Sequence, residues 1–421
     1  MPDGDVIRER ARDVSVVREC DVCVLGGGRT GVFAAVRAAQ MGASVALVEK
    51  QNVFGGAAVS GLVAMWHKLC DNKGSRQIID GLTGEVVRRL QQVGAVTDHA
   101  DGPGNSTLNT SELTIELDRL VLEHDITPYL HTIYAAPQVT EDSVEAVFIE
   151  NKNGRQAIRA KVFVDATGDG DLAKDAGIPF KIRDGLQPPT TCAKVSGLPE
   201  TIDELIGEHG AEFGLAPDHG WGARIPGSPG VDSCACTHVF GTVASDAIQL
   251  TTAEIEGRRH VRAYMDIARR HGGQSNRPCL LDLGSYLGVR ETRSLEADYT
   301  LTESDAMSGR RFPDAIANGT YPIDVHDPRT GRFEFSEPQG DFYQIPLACL
   351  VSNRAPSTVL AGRTISAGRG AFGAIRVMVN LNQTGEAAGV TAALAAAGRP
   401  VREVEPSSVR ERLSELGAVI V

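Results

Sequence analysis

The sequence predicts an α/β protein in which a largely parallel sheet, covered by helices, is joined to a second, mixed α+β domain. Three observations carry that expectation. Residues 21–49 read as strand, glycine loop, helix and strand in unbroken succession. A buried strand returns in "AKVFVDATGDGD" (160–171), after several short alternating runs suited to antiparallel pairing. A third buried strand, "STVLAGR" (357–363), leads through a glycine-rich loop into a long alanine-rich helix ending near residue 397. The stretch from about 180 to 350 is richer in Pro, Asp, His and aromatic residues and supplies the second domain. The expected division is 1–179, 180–350 and 351–421, the outer two pieces completing one sheet.

The first unit is the most explicit. "DVCVL" (21–25) is an apolar run of the kind buried on both faces of a parallel sheet. Gly26, Gly28 and Gly31 follow at GxGxxG spacing, the chain favours helix from Gly31 to Gln40, and Gly42 is placed to end it. "SVALVE" (44–49) closes the unit on an acid. This is a Rossmann-like arrangement for a dinucleotide. Gly26 permits the tight turn, Gly28 lets backbone approach a pyrophosphate, Gly31 allows close helix packing, and Glu49 accepts from ribose hydroxyls. Farther on, "GLTGEVVRRLQQVG" (81–94) and "SELTIELDRLVLEHD" (111–125) read as helices, the second starting at Ser111. "ITPYLHT", "YAAPQVT", "SVEAVFIE" and "RQAIRAKVFVDA" read as strands, with Asn153–Gly154 turning between the last two. The charged residues after 397 read as peripheral.

Composition sets outer limits. With 421 residues, 42% hydrophobic and 23% charged, the chain can bury a large core spread over two or three domains. A net charge of −12 argues against a nucleic-acid or anionic-membrane partner. "MPDGDVIRERARDVSVV" lacks an apolar signal core and "GEAAGVTAALAAAG" (385–398) is too short to span a bilayer, so cytoplasmic residence is expected. Eight cysteines in a chain this long make no disulfide framework. Cys20 and Cys23, three apart on a strand, should face opposite sides. Cys234, Cys236 and His238 could share a strand face but lack a fourth ligand, so no metal site is expected.

A second glycine cluster, Gly55–Gly56, so soon after Glu49 suits a cofactor with two halves. Taken with Gly26–Gly31, "DATGDGDLA" (165–173) and "VLAGRTISAGRGAFGAIRVMVNLNQTGEAAG" (359–389), it resembles the FAD-dependent oxidoreductase family of the glutathione-reductase fold, in the branch related to fumarate-reductase flavoproteins. "LGVRETRSLEADYTLT" (287–302), "RRFPDAIANGTYPIDVH" (310–326) and "FYQIPLACL" (342–350) match the same family, and the likeness runs from about 17 to 398. The resemblance implies a Rossmann-like FAD-binding domain of glutathione-reductase type, a second mixed α+β substrate domain, and non-covalent FAD. It implies that Gly55, Gly56 and Ala57 lie under the flavin, and that Ala166, Thr167 and Gly168 turn near the diphosphate and ribose, with Lys50 beside Glu49. Gly362 and Arg363 would close over the pyrophosphate–ribitol region, and backbone near Ile133 would meet adenine. A helix beginning near Met378 and Val379 would aim its amides at the flavin's pyrimidine edge. Two features depart from the family pattern. Arg29–Thr30 replaces the usual Pro–Ala, adding charge and a hydroxyl near the pyrophosphate, and Asn380, Asn382 and Gln383 make the flavin-edge segment more polar.

Hydride exchange at a flavin must be matched by a proton moving on or off the substrate, so a titratable group is needed. His326 is the first candidate, because imidazole titrates near neutrality and Asp324, two residues away on an extended segment, shares its face. His67, just beyond the flavin-facing loop, is the second. Arg290 or Arg293 would anchor an anionic or carbonyl oxygen, with Tyr321 and Tyr343 available for positioning. The expected activity is FAD-dependent hydride transfer to or from a small-molecule substrate. Two other readings stay open: an electron-transfer subunit working with a protein partner, and a non-redox isomerase or lyase. A homo-oligomer or an external electron acceptor is compatible with the first. The sequence shows neither a second Rossmann unit for NAD(P)H nor an iron–sulfur motif, which favours the hydride-transfer reading.

Overall fold

The computed structural model describes residues 6–98, 105–215, 220–273, 277–328 and 333–421. The first unit forms as expected: strand β1 (Val16–Leu25), helix α1 (Arg29–Gln40) and strand β2 (Val45–Val48), with β1 and β2 parallel. They belong to a sheet of seven strands. Beyond β2 lies Thr127–Tyr129; on the other side of β1 lies Gly154–Asp165, parallel to it with Val22 opposite Val162. Gly154–Asp165 is shared between two regimes. Its last residues pair in parallel with Thr358–Leu360, while its first half carries an antiparallel wing of Ser143–Asn151 and Ile133–Thr140. Both ends of the chain thus enter one sheet. Leu25, Val48, Asp165 and Leu360 all finish at the same edge, and loops leaving that edge are where an open α/β sheet binds ligands.

Helix Met378–Ala395 runs against α1 at backbone contact. A Cβ on Gly385 would sit 2.2 Å from the Thr30 carbonyl oxygen, and one on Gly389 would sit 2.1 Å from that of Ala34. Only glycine fits at either place. The same contact buries Arg37 and Glu386, whose side chains are 3% and 1% exposed; Arg37 Nε donates to the carboxylate at 2.8 Å and the Leu82 amide donates at 3.2 Å. Removing one partner of such a buried pair costs about 3–5 kcal/mol. The extra polarity of the segment after Met378 is also spent on packing. Asn380 donates to the Tyr343 hydroxyl, Gln383 exchanges hydrogen bonds with the Asn318 backbone, and Asn382 donates to Thr83. These side chains hold the helix to its neighbours.

A second layer contains a four-stranded antiparallel sheet, ordered Trp221–Arg224, Val231–His238, Thr190–Ser196, Cys279–Leu283. Helices Ile202–His209 and Ala247–His271 cover it around Ile206, Val261, Met265 and Ile267. Residues between Leu301 and Val351, by contrast, pack into the large core with α1 and the Met378 helix.

Several sequence expectations need correction. The hairpin loop is Lys152–Asn153, one residue early, and Gly154 takes the left-handed φ of 90° as the first residue of the next strand. The helix placed at Ser111 starts at Thr110 and is capped by Asn109, whose side chain accepts from the Ser111 amide. The C-terminal residues are not peripheral: helix Pro406–Glu415 buries Val409 and Leu413, and the Val421 carbonyl accepts from Gln344. Cys20 and Cys23 pack into one cluster, because the Asp21 and Val22 amides both bond the Ser44 carbonyl and break the strand's alternation. Both are free thiols. The side chain of Cys236 lies outside the described residues. Among the described residues no helix is long and apolar enough to cross a membrane.

Candidate functional site

The loop after β1 is built by backbone. Gly26 has φ 98°, and a Cβ there would stand 2.2 Å from the Ala166 carbonyl oxygen; one on Gly31 would stand 1.8 Å from that of Gly26. A Cβ on Gly28 would meet only the Gly56 Cα, at 3.9 Å, and Gly28 bridges in parallel to Gly55, whose amide donates to the Gly27 carbonyl at 2.8 Å. Gly55 and Gly56 both have positive φ, so the second cluster is seated on the first. Glu49 ties the arrangement together, accepting from the Gly27 amide at 2.6 Å and from the Gln51 amide at 2.8 Å. Burial raises its pKa, and those two amides oppose the rise. A carboxylate has about four acceptor positions, so two remain for ribose hydroxyls. Across the groove, Asp165 builds the Ala166–Gly168 turn by accepting from Thr167 and from the Ala173 amide; burial pushes its pKa up to about 6. The Thr167 hydroxyl is therefore consumed inside the turn.

Helix α1 begins at this loop with no side-chain cap, leaving its first amides to an anion. Beside it stands an unusual pair. Arg29 is buried, makes no ion pair among the described residues, and has an unpartnered Nε. Burial and the neighbouring Arg363 guanidinium lower its pKa to about 9. Arg363 itself bonds Asp169 at 3.3 Å and buries a second nitrogen, Nη1, without a partner. Two under-paired guanidiniums at an uncapped helix start call for a polyanionic group.

Next to them opens a cavity of about 390 Å³. Ala57, Val63, Met65, Val377 and Met378 form an apolar floor, while Arg290, Tyr321, Asp324, His326 and Arg376 face it. Asp324 organises the polar side. It lies 3.3 Å from His326 Nε2 and accepts from the Tyr321 hydroxyl at 2.8 Å and from Arg376 at 2.9 Å. Burial would raise its pKa, but His326, Arg376 and Tyr321 together hold it well below the usual carboxylate range. Burial, with Arg290 and Arg376 nearby, lowers His326 to about 4 despite its bond to Asp324. The ring of His67 packs on Tyr321 at 4.3 Å, and His238 meets His326 edge-on at 4.7 Å. Arg290 is oriented by the Pro188 carbonyl at 2.7 Å and the Thr190 hydroxyl at 2.8 Å.

Residues 21–413 match the family described as FAD dependent oxidoreductase.

The chain belongs to that family.

It is an FAD-dependent oxidoreductase, and its cofactor is FAD. No curated protein matches the sequence. Among solved structures, a geranylgeranyl bacteriochlorophyll reductase-like protein from Thermoplasma acidophilum is 12% identical at a TM-score of 0.50, over 95% of this chain and 83% of that one. A flavin-dependent brominase is 13% identical at 0.47, over 93% and 83%. An aromatic hydroxylase from angucycline biosynthesis is 14% identical at 0.47, over 94% and 69%. At such identities the likeness is one of fold.

The residues present fit FAD. The orphaned nitrogens of Arg29 and Arg363 suit its diphosphate, and Gly28, where an added Cβ would meet only the Gly56 Cα at 3.9 Å, leaves main chain open to a close approach. Thr30 is buried behind Arg29 and beneath Gly362. Lys50 is exposed at the rim, over the Tyr286 ring at 4.9 Å. Ile133 is 58% exposed at the start of the antiparallel wing, while the preceding Thr132 amide reaches the Glu49 carbonyl. His67, Arg290 and His326 come together in the cavity; Arg293 does not. Arg293 instead donates to the Asp169 carbonyl and the Asp171 carboxylate, stapling the Ala166–Gly168 turn. Tyr343 is buried away from the cavity, its hydroxyl 2.9 Å from the Ala374 carbonyl and 3.1 Å from that of Tyr321, with one proton to donate between them. The neutral pKa that recommended His326 is also corrected, to about 4. Arg376 and His238 were missed as site residues. Arg376 sits two residues before the helix that begins at Met378, a position that could have singled it out, whereas His238 stood out in the sequence only beside Cys234 and Cys236 and not as a neighbour of His326.

Proposed function

We propose that this enzyme exchanges a hydride between its flavin and a small organic substrate carrying an anionic or carbonyl oxygen, with Arg290 holding that oxygen and His326 exchanging the proton. The observation that supports the reading is a single cavity in which Arg290, His326 and the Asp324–Arg376 pair face Ala57 and Met378. FAD supplies the hydride acceptor or donor when bound. His326, held neutral at physiological pH, takes a proton from a substrate hydroxyl during oxidation, and Asp324 at 3.3 Å stabilises the resulting imidazolium. In the reductive direction the same imidazolium returns the proton. Arg376 keeps Asp324 ionised and oriented through the cycle.

Within the family we favour the glutathione-reductase type and the fumarate-reductase-related branch, on the order of the glycine, "ATGD" and "VLAGR" motifs. We take FAD to be held without a covalent bond, and 1–179 with 351–421 to form its domain, with 180–350 setting substrate choice. Residues 301–351 share the FAD unit's core, so the layer around Thr190–Ser196 carries most of that choice. The test is anaerobic mixing of the oxidised enzyme with 2-hydroxy acids, related carboxylates and their neutral amides. Bleaching by one acid and not by its amide supports the assignment. Equal bleaching by both removes Arg290 as anchor, and bleaching only by a reduced protein partner favours the electron-transfer reading.

A further inference from the structure

A second cluster of chemically useful side chains lies outside the cavity, at the corner of the four-stranded layer. Helix Ile202–His209 ends on His209, a 3-10 turn (Gly210–Phe213) follows with Glu212 in it, and helix Ala247–His271 ends on His271. The rings of His209 and His271 stack with centroids 3.6 Å apart and planes 13° from parallel. Glu212 lies 3.2 Å from His209 Nδ1, and one ligand atom from each of the three residues falls within 4.8 Å of the others. His271 Nε2 is shielded from solvent and has no hydrogen-bond partner among the described residues.

We propose that His209, Glu212 and His271 bind one divalent transition-metal ion, zinc by its ligand set. Two imidazole nitrogens and one carboxylate oxygen, with room for solvent, are a donor set typical of zinc. Two helix C-termini meet here, and the negative end of each helix dipole favours a cation. Ligand atoms on one tetrahedral zinc lie about 3.3 Å apart, so modest side-chain turns close the site and unstack the rings. Two basic groups of the same helix are engaged elsewhere: Arg259 bonds Glu256 and the Phe213 and Gly214 carbonyls, and Arg270 lies over the Phe213 ring. Glu208, 3.9 Å from His209 Nε2, adds negative charge at the rim. None of the three ligands lines the cavity, so the ion clamps the ends of the two helices and takes no part in the redox step.

The experiment uses tag-free, FAD-loaded enzyme, stripped with chelator and dialysed. Zinc chloride is titrated by calorimetry, and melting is followed with and without the metal. One ion per chain and a raised Tm are expected. A partner outside a metal's ligand shell is worth roughly 10–100-fold in affinity, so losing a ligand should weaken binding by at least about 100-fold. His271→Ala and, in case that variant folds poorly, Glu212→Gln should both show this, with the flavin spectrum unchanged. No heat of binding in the wild type, or wild-type affinity in both variants, overturns the proposal.

Discussion

The nucleotide groove and the cavity's polar face are built on opposite plans. The groove is made of main chain: glycines at contact distance, an uncapped helix start, and two carboxylates, Glu49 and Asp165, whose bonds go mostly to amides. The face is made of side chains brought from 67, 238, 290, 321, 324, 326 and 376, several of them tied to Asp324. Backbone tolerates no added atom but is indifferent to the identity of neighbours. A side-chain network accepts added volume but fails when one member loses its chemistry. The two plans should therefore break differently, the groove by loss of cofactor and the face by loss of rate.

The largest expected effect tests the groove. Gly31→Val puts two further carbons where one already overlaps the Gly26 carbonyl, so the purified protein should be colourless and should melt earlier. A yellow variant would break the contrast at once. Next comes the face: His326→Ala should keep its colour while flavin reduction slows by about two to four orders of magnitude in stopped-flow mixing. Arg29→Met bridges the two plans, because a side chain there serves the groove. Charge-assisted hydrogen bonds are worth about 1.5–3 kcal/mol, so FAD affinity for the apoprotein should fall by about 10–150-fold in a fluorescence titration.

How much of this could be read from the sequence follows from the same division. Gly26, Gly28, Gly31 and Glu49 lie within one short stretch, and their spacing is the geometry, so the strand–loop–helix unit and its closing acid were legible in the sequence. Asp324 and His326 were paired for the same reason, two residues apart on one strand. Arg290 and Arg293 looked alike locally, yet strand Arg293–Leu295 turns one toward Asp169 and leaves the other at the cavity. Burial, which moves His326 to about 4, is a property of everything packed around it and has no local signature. For Asn380, Asn382 and Gln383 the polarity was plain in the sequence, but their partners lie on distant elements and were not.

Two smaller effects sharpen the comparison. If neutral His326 is the base, kcat/KM should stay level from neutral pH downward and fall only as pH approaches about 4. The sign carries to stability as well. A histidine whose folded pKa lies below its ordinary 6.5 favours the unfolded chain when protonated, so stability should decline as pH drops from 6.5 through 4, and His326→Gln should flatten that decline. An acid limb near 6.5 in the rate profile would remove His326 from the role. Arg293→Met should have the least effect on chemistry, lowering the melting temperature through the loosened Asp169–Asp171 turn and leaving flavin reduction near the wild-type rate.

The glycine contact between α1 and the Met378 helix works as a caliper. Thr30 lies at Gly385 and Ala34 at Gly389, so the helices run in the same direction, locked backbone to backbone. Met378 stands seven residues before Gly385, which at 1.5 Å per residue carries that helix start about 10 Å past the level of Thr30. One positive helix end is offered at the Arg29–Arg363 pair and another, a fixed step farther on, at the cavity floor. The two positive ends are thereby held at one separation. That separation is a matter of length, set by two residues that lack a side chain.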